Sequence, residues 1–268
     1  MNRCGTAALK DVEIYYEMQG RGPYLTLVPG LGVGTWIWER QLDAFARHFT
    51  TVIFDNRGMG KSTKPPGPYR VSQMAGDLLG LLDFLGIRET HLLGISLGGF
   101  IALETALSVP ERINRLVLVS TAAGGADQVP MAPEVLQLLL KTTGGRRELI
   151  REKLALAFSE AFLSSPEIDR LVEVRMADRQ PSFAFTAQAA AGAAFDRSAD
   201  AAGVRQPTLI IAGSGDRVVP ARNAEILAAK ISGSRCIIYP KLGHQCFYED
   251  AARFNADVVE FLTDGRLI

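Results

Sequence analysis

Ser96 stands at the centre of the segment Gly94-Ile95-Ser96-Leu97-Gly98, between an apolar run and a helix-forming pattern. The segment matches G-x-S-x-G, in which a serine occupies a sharp strand-to-helix turn. Glycines on both sides let the chain turn where side chains would collide with backbone. The strained turn projects the hydroxyl outward, and the helix start adds free N–H groups beside it. The segment predicts a nucleophilic serine, although such short matches also occur by chance in glycine-rich loops.

The serine hydroxyl needs a base to take its proton, and the chain has three histidines. His91 lies on the same predicted strand as Ser96, about 16 Å away at 3.3 Å per residue. His48 precedes the strand 51–55, which places it at the opposite edge of the sheet. His244 follows the last strand, at the edge of a parallel sheet where Ser96 also emerges. His244 is the predicted general base, and the other two are interpreted as partly exposed structural histidines.

The acid that orients the histidine is chosen by the same geometry. Asp216 follows a strand whose neighbour leads to His244, and the small residues 213–215 free its loop to turn inward. The other nearby acids lie on a solvated helix or at the end of a helical segment: Asp250, Asp257, Asp196 and Asp200. Asp216 is therefore the predicted third member of a Ser-His-Asp triad, with a helix-capping aspartate as the alternative interpretation.

The elements that must position these residues alternate along the chain. Predicted strands are 12–18, 24–28, 51–55, 91–94, 115–120, 208–213 and 235–240, and predicted helices are 36–48, 71–85, 97–108, 221–229 and 248–262. From Tyr24 onward most of the strands are continuous apolar runs, which is typical of parallel strands covered by helices on both faces. The pattern predicts an α/β fold with a mostly parallel central sheet.

The stretch from residue 124 to about residue 200 breaks this alternation. It contains helix-like runs separated by "TGG", "SSP" and "QPS", with no convincing strand. This is far more helix than a crossover between two strands needs. We predict a helical cap, residues 124–203, inserted between two parts of the core, residues 1–123 and 204–268. An independent helical domain would give the same pattern.

Composition narrows the function classes. The 29 basic and 29 acidic residues cancel, so charge gives no reason to expect a nucleic-acid or membrane partner. Cys4, Cys236 and Cys246 are scattered without metal-ligand or redox spacing. The first residues contain no apolar run of signal-peptide length, and no later stretch has the length and apolarity of a membrane span. We expect a cytoplasmic protein that needs no metal or cofactor; its oligomeric state stays open.

The order serine, aspartate, histidine, together with the turn at Ser96, resembles the α/β-hydrolase fold family along almost the whole chain. The matching segments are 94–99, 213–216 with Pro220, Gly243-His244, and the loop 55–62. The resemblance implies that fold, with the cap inserted after its sixth strand. The "RGMGKS" loop and "PPGPY" are similar to the branch that contains 3-oxoadipate enol-lactonases, small carboxylesterases and cofactor-free haloperoxidases.

An acyl-transfer enzyme must also hold the negative oxygen of its tetrahedral intermediate with N–H donors. The amide of Leu97, directly after the serine, is one expected donor, and Leu31 in the loop 29–34 is the other. The family usually has His-Gly before the second donor, whereas this chain has Pro29-Gly30. Support for the loop must then come from elsewhere, and Asp55 and Arg57 could supply it.

The substrate is the least determined part. Trp36 and Trp38 follow the oxyanion loop, and the cap is rich in leucine, phenylalanine, methionine and alanine, so an apolar pocket is expected. We predict hydrolysis of a carboxylic ester or lactone with a small or medium acyl group and no obligate charge partner. A haloperoxidase or acyltransferase would use the same three residues. A slow or inactive binding protein of this fold is a further alternative.

Overall fold

The central sheet has eight strands in the computed structural model, which describes residues 3–178 and 180–264. They are β1 (Arg3–Ala8), β2 (Glu13–Gly20), β3 (Tyr24–Val28), β4 (Thr50–Phe54), β5 (Thr90–Ile95), β6 (Ile113–Val119), β7 (Thr208–Gly213) and β8 (Arg235–Tyr239). Their order in the sheet is β1-β2-β4-β3-β5-β6-β7-β8. The first two pairings, β1 with β2 and β2 with β4, are antiparallel, and the others are parallel. The predicted mostly parallel sheet is confirmed.

The central strands are buried on both faces, which explains their continuous apolar runs. In β5, Leu92 packs into one hydrophobic core and its neighbour Leu93 packs into another. Leu118 and Val119 of β6 divide in the same way. Successive side chains of a strand point to opposite faces, so a strand covered on both sides is apolar at most of its positions.

Strand β1 was not predicted. Its six residues, "RCGTAA", are mostly exposed and carry no alternation of apolar and polar side chains. It pairs along its whole length with β2, from Arg3 opposite Met18 to Ala8 opposite Glu13. The strand therefore forms by backbone pairing at the edge of the sheet, which leaves little trace in the side-chain pattern.

Helices cover both faces of the sheet. In the described residues of the core they are α1 (Leu42–Phe45), α2 (Val71–Phe84), α3 (Leu97–Ser108), α9 (Arg222–Lys230), α10 (Cys246–Glu249) and α11 (Ala251–Thr263). Side chains of α2, α3 and α9 fill one core, and those of α1 and α11 fill the other. None of the helices in this part of the chain is both long and apolar enough to cross a bilayer.

Two predicted helices are each interrupted. The stretch 36–48 contains a 3₁₀ turn, Thr35–Trp38, and only one turn of α-helix, α1. The stretch 248–262 divides into α10 and α11 at Asp250, whose side chain accepts the N–H of Arg253 at 3.3 Å. An aspartate that caps a new helix ends the preceding one, because its backbone leaves the helical conformation.

The long segment between β6 and β7 is helical. It carries α4 (Pro133–Leu140), α5 (Arg146–Ala157), α6 (Glu160–Leu163), α7 (Glu167–Ala177) and α8 (Ser182–Ala193). Its two ends lie side by side, because Gly124 forms an antiparallel bridge with Asp196 and the N–H of Arg197 donates to the carbonyl of Ala123 at 2.7 Å. The segment thus leaves the core and returns to it at neighbouring points, as an inserted cap does.

Candidate active site

Ser96 occupies a strained turn between β5 and α3. Its backbone has φ 53° and ψ −120°, a conformation that residues with a side chain rarely adopt. The flanking residues Ile95 and Leu97 are buried, whereas Ser96 is partly exposed. The strain therefore lifts one hydroxyl out of an otherwise buried strand and helix.

The glycines beside Ser96 are required by close backbone contacts. A Cβ on Gly94 would lie 2.2 Å from the carbonyl oxygen of Gly98, and a Cβ on Gly98 would lie 2.1 Å from that of Val28. Both distances are far below van der Waals contact. The turn can therefore pack against β3 and close on itself only when these positions carry no side chain.

The strand next to β5 also holds the turn. The N–H of Ser96 donates to the carbonyl of Val119 at 2.9 Å, and the hydroxyl of Thr121 donates to the carbonyl of Ser96 at 2.9 Å. Ser120 donates its hydroxyl to the carbonyl of His244 at 2.9 Å. The end of β6 thus supports the backbones of both Ser96 and His244, a role that the sequence did not indicate.

His244 and Asp216 meet beyond the ends of β8 and β7. Nδ1 of His244 lies 2.8 Å from Oδ2 of Asp216, and both residues are buried. The other carboxylate oxygen accepts the N–H groups of Val218 and Val219, each at 2.8 Å. Three hydrogen bonds therefore fix the carboxylate, and its contact with Nδ1 leaves Nε2 of the imidazole for proton transfer.

The two other histidines lie elsewhere. His91 is buried at the start of β5, and burial lowers its pKa to about 4. Nδ1 of His91 has no hydrogen-bond partner in the described chain. Its ring packs edge-on against Phe49, with centroids 5.7 Å apart, so the expected partial exposure of His91 is wrong. His48 is half-buried beside the same phenylalanine.

Ser96 and His244 line one small cavity of about 70 Å³. Residues of the cap close it from four helices, with Leu139, Lys153, Ala157, Arg175 and Phe185 among the lining side chains. Within the described residues, Ser96 makes no hydrogen bond through its hydroxyl to the imidazole. Catalytic hydrogen bonds are often long before substrate binds, so the shared cavity is the informative relationship.

Two backbone amides near Ser96 could donate hydrogen bonds to a negative oxygen of the substrate. Leu31 lines the cavity, and Leu97 is the first residue of α3, directly after Ser96. Neither N–H donates to a protein acceptor within residues 3–178 and 180–264. Unpaired N–H groups at a helix start and in an adjacent turn are suited to bind a negative oxygen.

Side chains from both the core and the cap hold the loop that carries Leu31. Asn56 donates to the carbonyl of Pro29 at 3.0 Å, and Asp55 accepts the N–H of Thr35 at 2.7 Å. The expectation that the Arg57 side chain supports this loop is wrong. Its guanidinium instead forms two hydrogen bonds, of 2.5 and 2.6 Å, with the buried carboxylate of Asp77.

Two cap side chains form hydrogen bonds with this loop at Gly32. Gln188 of α8, which is fully buried, accepts the N–H of Gly32 at 3.3 Å and donates to the carbonyl of Arg57 at 2.8 Å. Arg175 of α7 donates to the carbonyl of Gly32 at 3.1 Å. The cap thereby supports a loop in which this chain has Pro29 before Gly30. No local pattern marked Gln188, because its partners lie far away in sequence.

A larger cleft of about 310 Å³ adjoins the cavity, with Lys153, Arg175 and Phe185 lining both. Trp36 lines this outer cleft and donates its indole N–H to Asp178 at 2.7 Å. Trp38 does not line either space. It is fully buried and packs against Phe247, with ring centroids 5.4 Å apart, so its predicted pocket role is wrong.

The geometry defines a class of protein: an α/β fold with a serine, a histidine and two amides at the carboxyl edge of its sheet, neither amide having an acceptor in the described residues. The sequence model of the protein family described as alpha/beta hydrolase fold matches residues 23–251, so the chain belongs to the α/β-hydrolase fold family.

Known relatives agree with this assignment. A protein of Azorhizobium caulinodans, provisionally named carbamate hydrolase RutD, is 29% identical over 84% of this chain and 85% of its own. A 2-hydroxy-6-oxononadienedioate/2-hydroxy-6-oxononatrienedioate hydrolase of Burkholderia vietnamiensis is 31% identical over 94% and 91%. The crystal structure of an enol-lactonase from Burkholderia xenovorans superimposes with a TM-score of 0.86 at 28% identity, covering 97% of this chain and all of that one. These similarities support hydrolase activity.

Proposed function

We propose that the protein is a serine hydrolase that cleaves a carboxylic ester or lactone through an acyl-enzyme, with Ser96, His244 and Asp216 as its triad. One observation carries the proposal. Ser96, held in a strained turn, lines the same small cavity as His244, whose Nδ1 is hydrogen-bonded to Asp216.

In the first half of the reaction, the Ser96 oxygen attacks the carbonyl carbon while Nε2 of His244 takes the hydroxyl proton. The carbonyl oxygen becomes negative and accepts the N–H groups of Leu31 and Leu97. The tetrahedral intermediate then expels the alkoxide, which receives the proton from His244. Asp216 keeps the ring in the tautomer that makes Nε2 a base and stabilises the imidazolium.

Water completes the reaction. It gives one proton to His244, and its oxygen attacks the acyl carbon. The bond to Ser96 breaks as the serine oxygen recovers the proton. The products are an acid and an alcohol, or a hydroxy acid from a lactone. No redox partner is required.

The test combines turnover with covalent labelling. p-Nitrophenyl esters of increasing chain length should be hydrolysed, and a fluorophosphonate should label Ser96. Ser96→Ala should lose nearly all turnover and labelling, whereas the control Ser108→Ala, at the other end of α3, should keep both. Near-normal turnover by folded Ser96→Ala would refute the assignment. An unlabelled protein that binds small molecules would instead be a receptor.

Carbamate hydrolysis is a second candidate. It is favoured by the relative named for that reaction, which matches most of this chain. A carbamate presents a carbonyl to the same serine and needs the same two amides. Comparing p-nitrophenyl carbamates with esters of equal size separates the two, because a carbamate hydrolase would show the higher kcat/KM on the carbamate.

A further inference from the structure

Two cationic side chains, Lys153 of α5 and Arg175 of α7, line both the inner cavity and the outer cleft. They therefore stand at the neck between the two spaces, on the cap side, facing the cavity that holds Ser96 and His244. This placement contradicts the expectation of a pocket without a charge partner. Whether each of these cations already has an acidic partner therefore decides if it can bind an anionic substrate.

Neither cation is paired with an acid in the described residues. Arg175 donates to the carbonyl of Gly32, and the Lys153 amine lies over the ring of Phe185, 4.1 Å from its centroid. In contrast, two exposed arginines of the same helices, Arg151 and Arg170, form ion pairs with Asp169 and Glu39. These two outward cations of the cap are paired, whereas in the described residues no acid lies within ion-pair distance of Lys153 or Arg175, and Asp178 acts on Arg175 only through its nearby charge.

The one acid that lines the outer cleft is already engaged. Asp178 accepts the indole N–H of Trp36 at 2.7 Å and does not line the inner cavity. Burial and the charge of Arg175 together lower the pKa of Lys153 to about 8. Burial also lowers the pKa of Arg175. Burial thus disfavours the charged form of both side chains, and a bound anion would relieve that penalty.

We infer that Lys153 and Arg175 form a carboxylate-binding subsite. The substrate class is then an ester or lactone that carries a carboxylate separated by a few bonds from the scissile carbonyl. A guanidinium binds a carboxylate through paired N–H groups, and an ammonium adds a point charge. The inference rests on the proposed function for the position of the carbonyl, whereas the subsite itself depends only on the two cations.

The small inner cavity limits the distance between the two groups. Its remaining cap-side lining is apolar, from Leu139, Ala157 and Phe185, with Val218 on the core side. A short hydrocarbon spacer suits such walls, and a carbonyl at Ser96 then places the carboxylate at the neck. Half-esters of short dicarboxylic acids have this layout.

The experiment compares matched substrates. Mono-p-nitrophenyl esters of succinate, glutarate and adipate are each paired with the neutral p-nitrophenyl ester of equal acyl carbon number, with the uncatalysed rate subtracted. For at least one pair the wild-type kcat/KM should favour the half-ester by about tenfold or more. Lys153→Met should lower that ratio severalfold, because only Arg175 is then left to bind the carboxylate, and Lys153→Arg should retain most of it. The control Arg151→Met removes a cation of the same helix outside the cavity and should keep the wild-type ratio.

A wild-type ratio near one for every pair would overturn the inference while leaving ester hydrolysis intact. So would a ratio that Lys153→Met does not change. A binding measurement tests the subsite independently of ester hydrolysis. In calorimetry on Ser96→Ala, the Kd of monomethyl glutarate should be lower than that of methyl pentanoate by a similar factor. If no ester is hydrolysed and no probe labels Ser96, the proposed function fails, and this binding difference alone decides the subsite.

Discussion

The buried side chain of Gln188, on cap helix α8, accepts the N–H of Gly32 at 3.3 Å, in the loop that also carries the Leu31 amide. Its own amide group donates to the carbonyl of Arg57 at 2.8 Å, on the loop after β4. One side chain thus joins the cap to two core loops. If Leu31 binds the oxyanion, then its position depends on the cap being docked.

Gln188→Leu should lower kcat by about tenfold and change KM less. A displaced Leu31 amide would no longer stabilise the negative oxygen, which develops mainly in the transition state. Gln188→Glu keeps an acceptor for Gly32 and should recover part of kcat. The matched control is Gln206→Leu, which removes another buried glutamine whose amide donates to Pro110 at 2.8 Å, far from the cavity. Equal kcat losses in the two leucine variants would show a general effect of lost stability.

Asp216→Asn should reduce kcat by about 10⁴-fold with little change in stability. The asparagine oxygen can still accept the N–H groups of Val218 and Val219, but its NH₂ now donates to Nδ1 of His244. That contact selects the tautomer with its proton on Nε2, which cannot act as a base. Steady-state kinetics and thermal unfolding test this, with Asp250→Asn at the cap of α11 as the control. A helix-capping role alone would leave kcat unchanged.

The pH dependence of KM should reveal Lys153. Its pKa of about 8 in the free protein means that it is protonated below pH 8 and loses its charge above it. An anion binds the protonated form of Lys153, so KM for a half-ester should rise above pH 8. The rise approaches tenfold per pH unit and ends at the higher pKa that Lys153 has in the complex with the half-ester.

The neutral ester of equal length serves as the reference, because titration of His244 affects both substrates. Arg175, Arg146 and Asp178 also face this region, and Lys153→Arg should remove the rise by keeping the charge at high pH. A half-ester KM that follows the neutral ester across pH 7 to 10 would contradict the prediction.

Gly98→Ala and Gly76→Ala should have opposite effects on stability. A Cβ on Gly98 would lie 2.1 Å from the backbone oxygen of Val28, so the turn at Ser96 must open, at a cost of at least about 2 kcal/mol. Gly76 is on α2, exposed, with nothing within 4 Å of its added Cβ. Alanine there should stabilise the protein by about 0.5–1 kcal/mol. Urea unfolding measures both, and equal destabilisation would contradict the contact argument.

Local patterns were sufficient for the parallel strands and for the turn at Ser96. A strand buried on both faces is mostly apolar, and a backbone approach near 2 Å to a Cβ position demands glycine, so both are visible in a short window of sequence. Elimination by strand direction also selected His244 and Asp216, because chain order determines the edge of the sheet at which each loop emerges.

Tertiary structure alone decided what the cap and the edges contribute. Strand β1 depends on pairing with β2, and only packing separates Trp36 in the cleft from Trp38 in the core. Lys153, Arg175 and Gln188 lie on three different helices, and their sequence patterns resemble those of any amphipathic segment. Which of their faces meets the cavity is determined by how the helices pack against each other and against the sheet. Those contacts join residues far apart in the chain, so no local pattern records them.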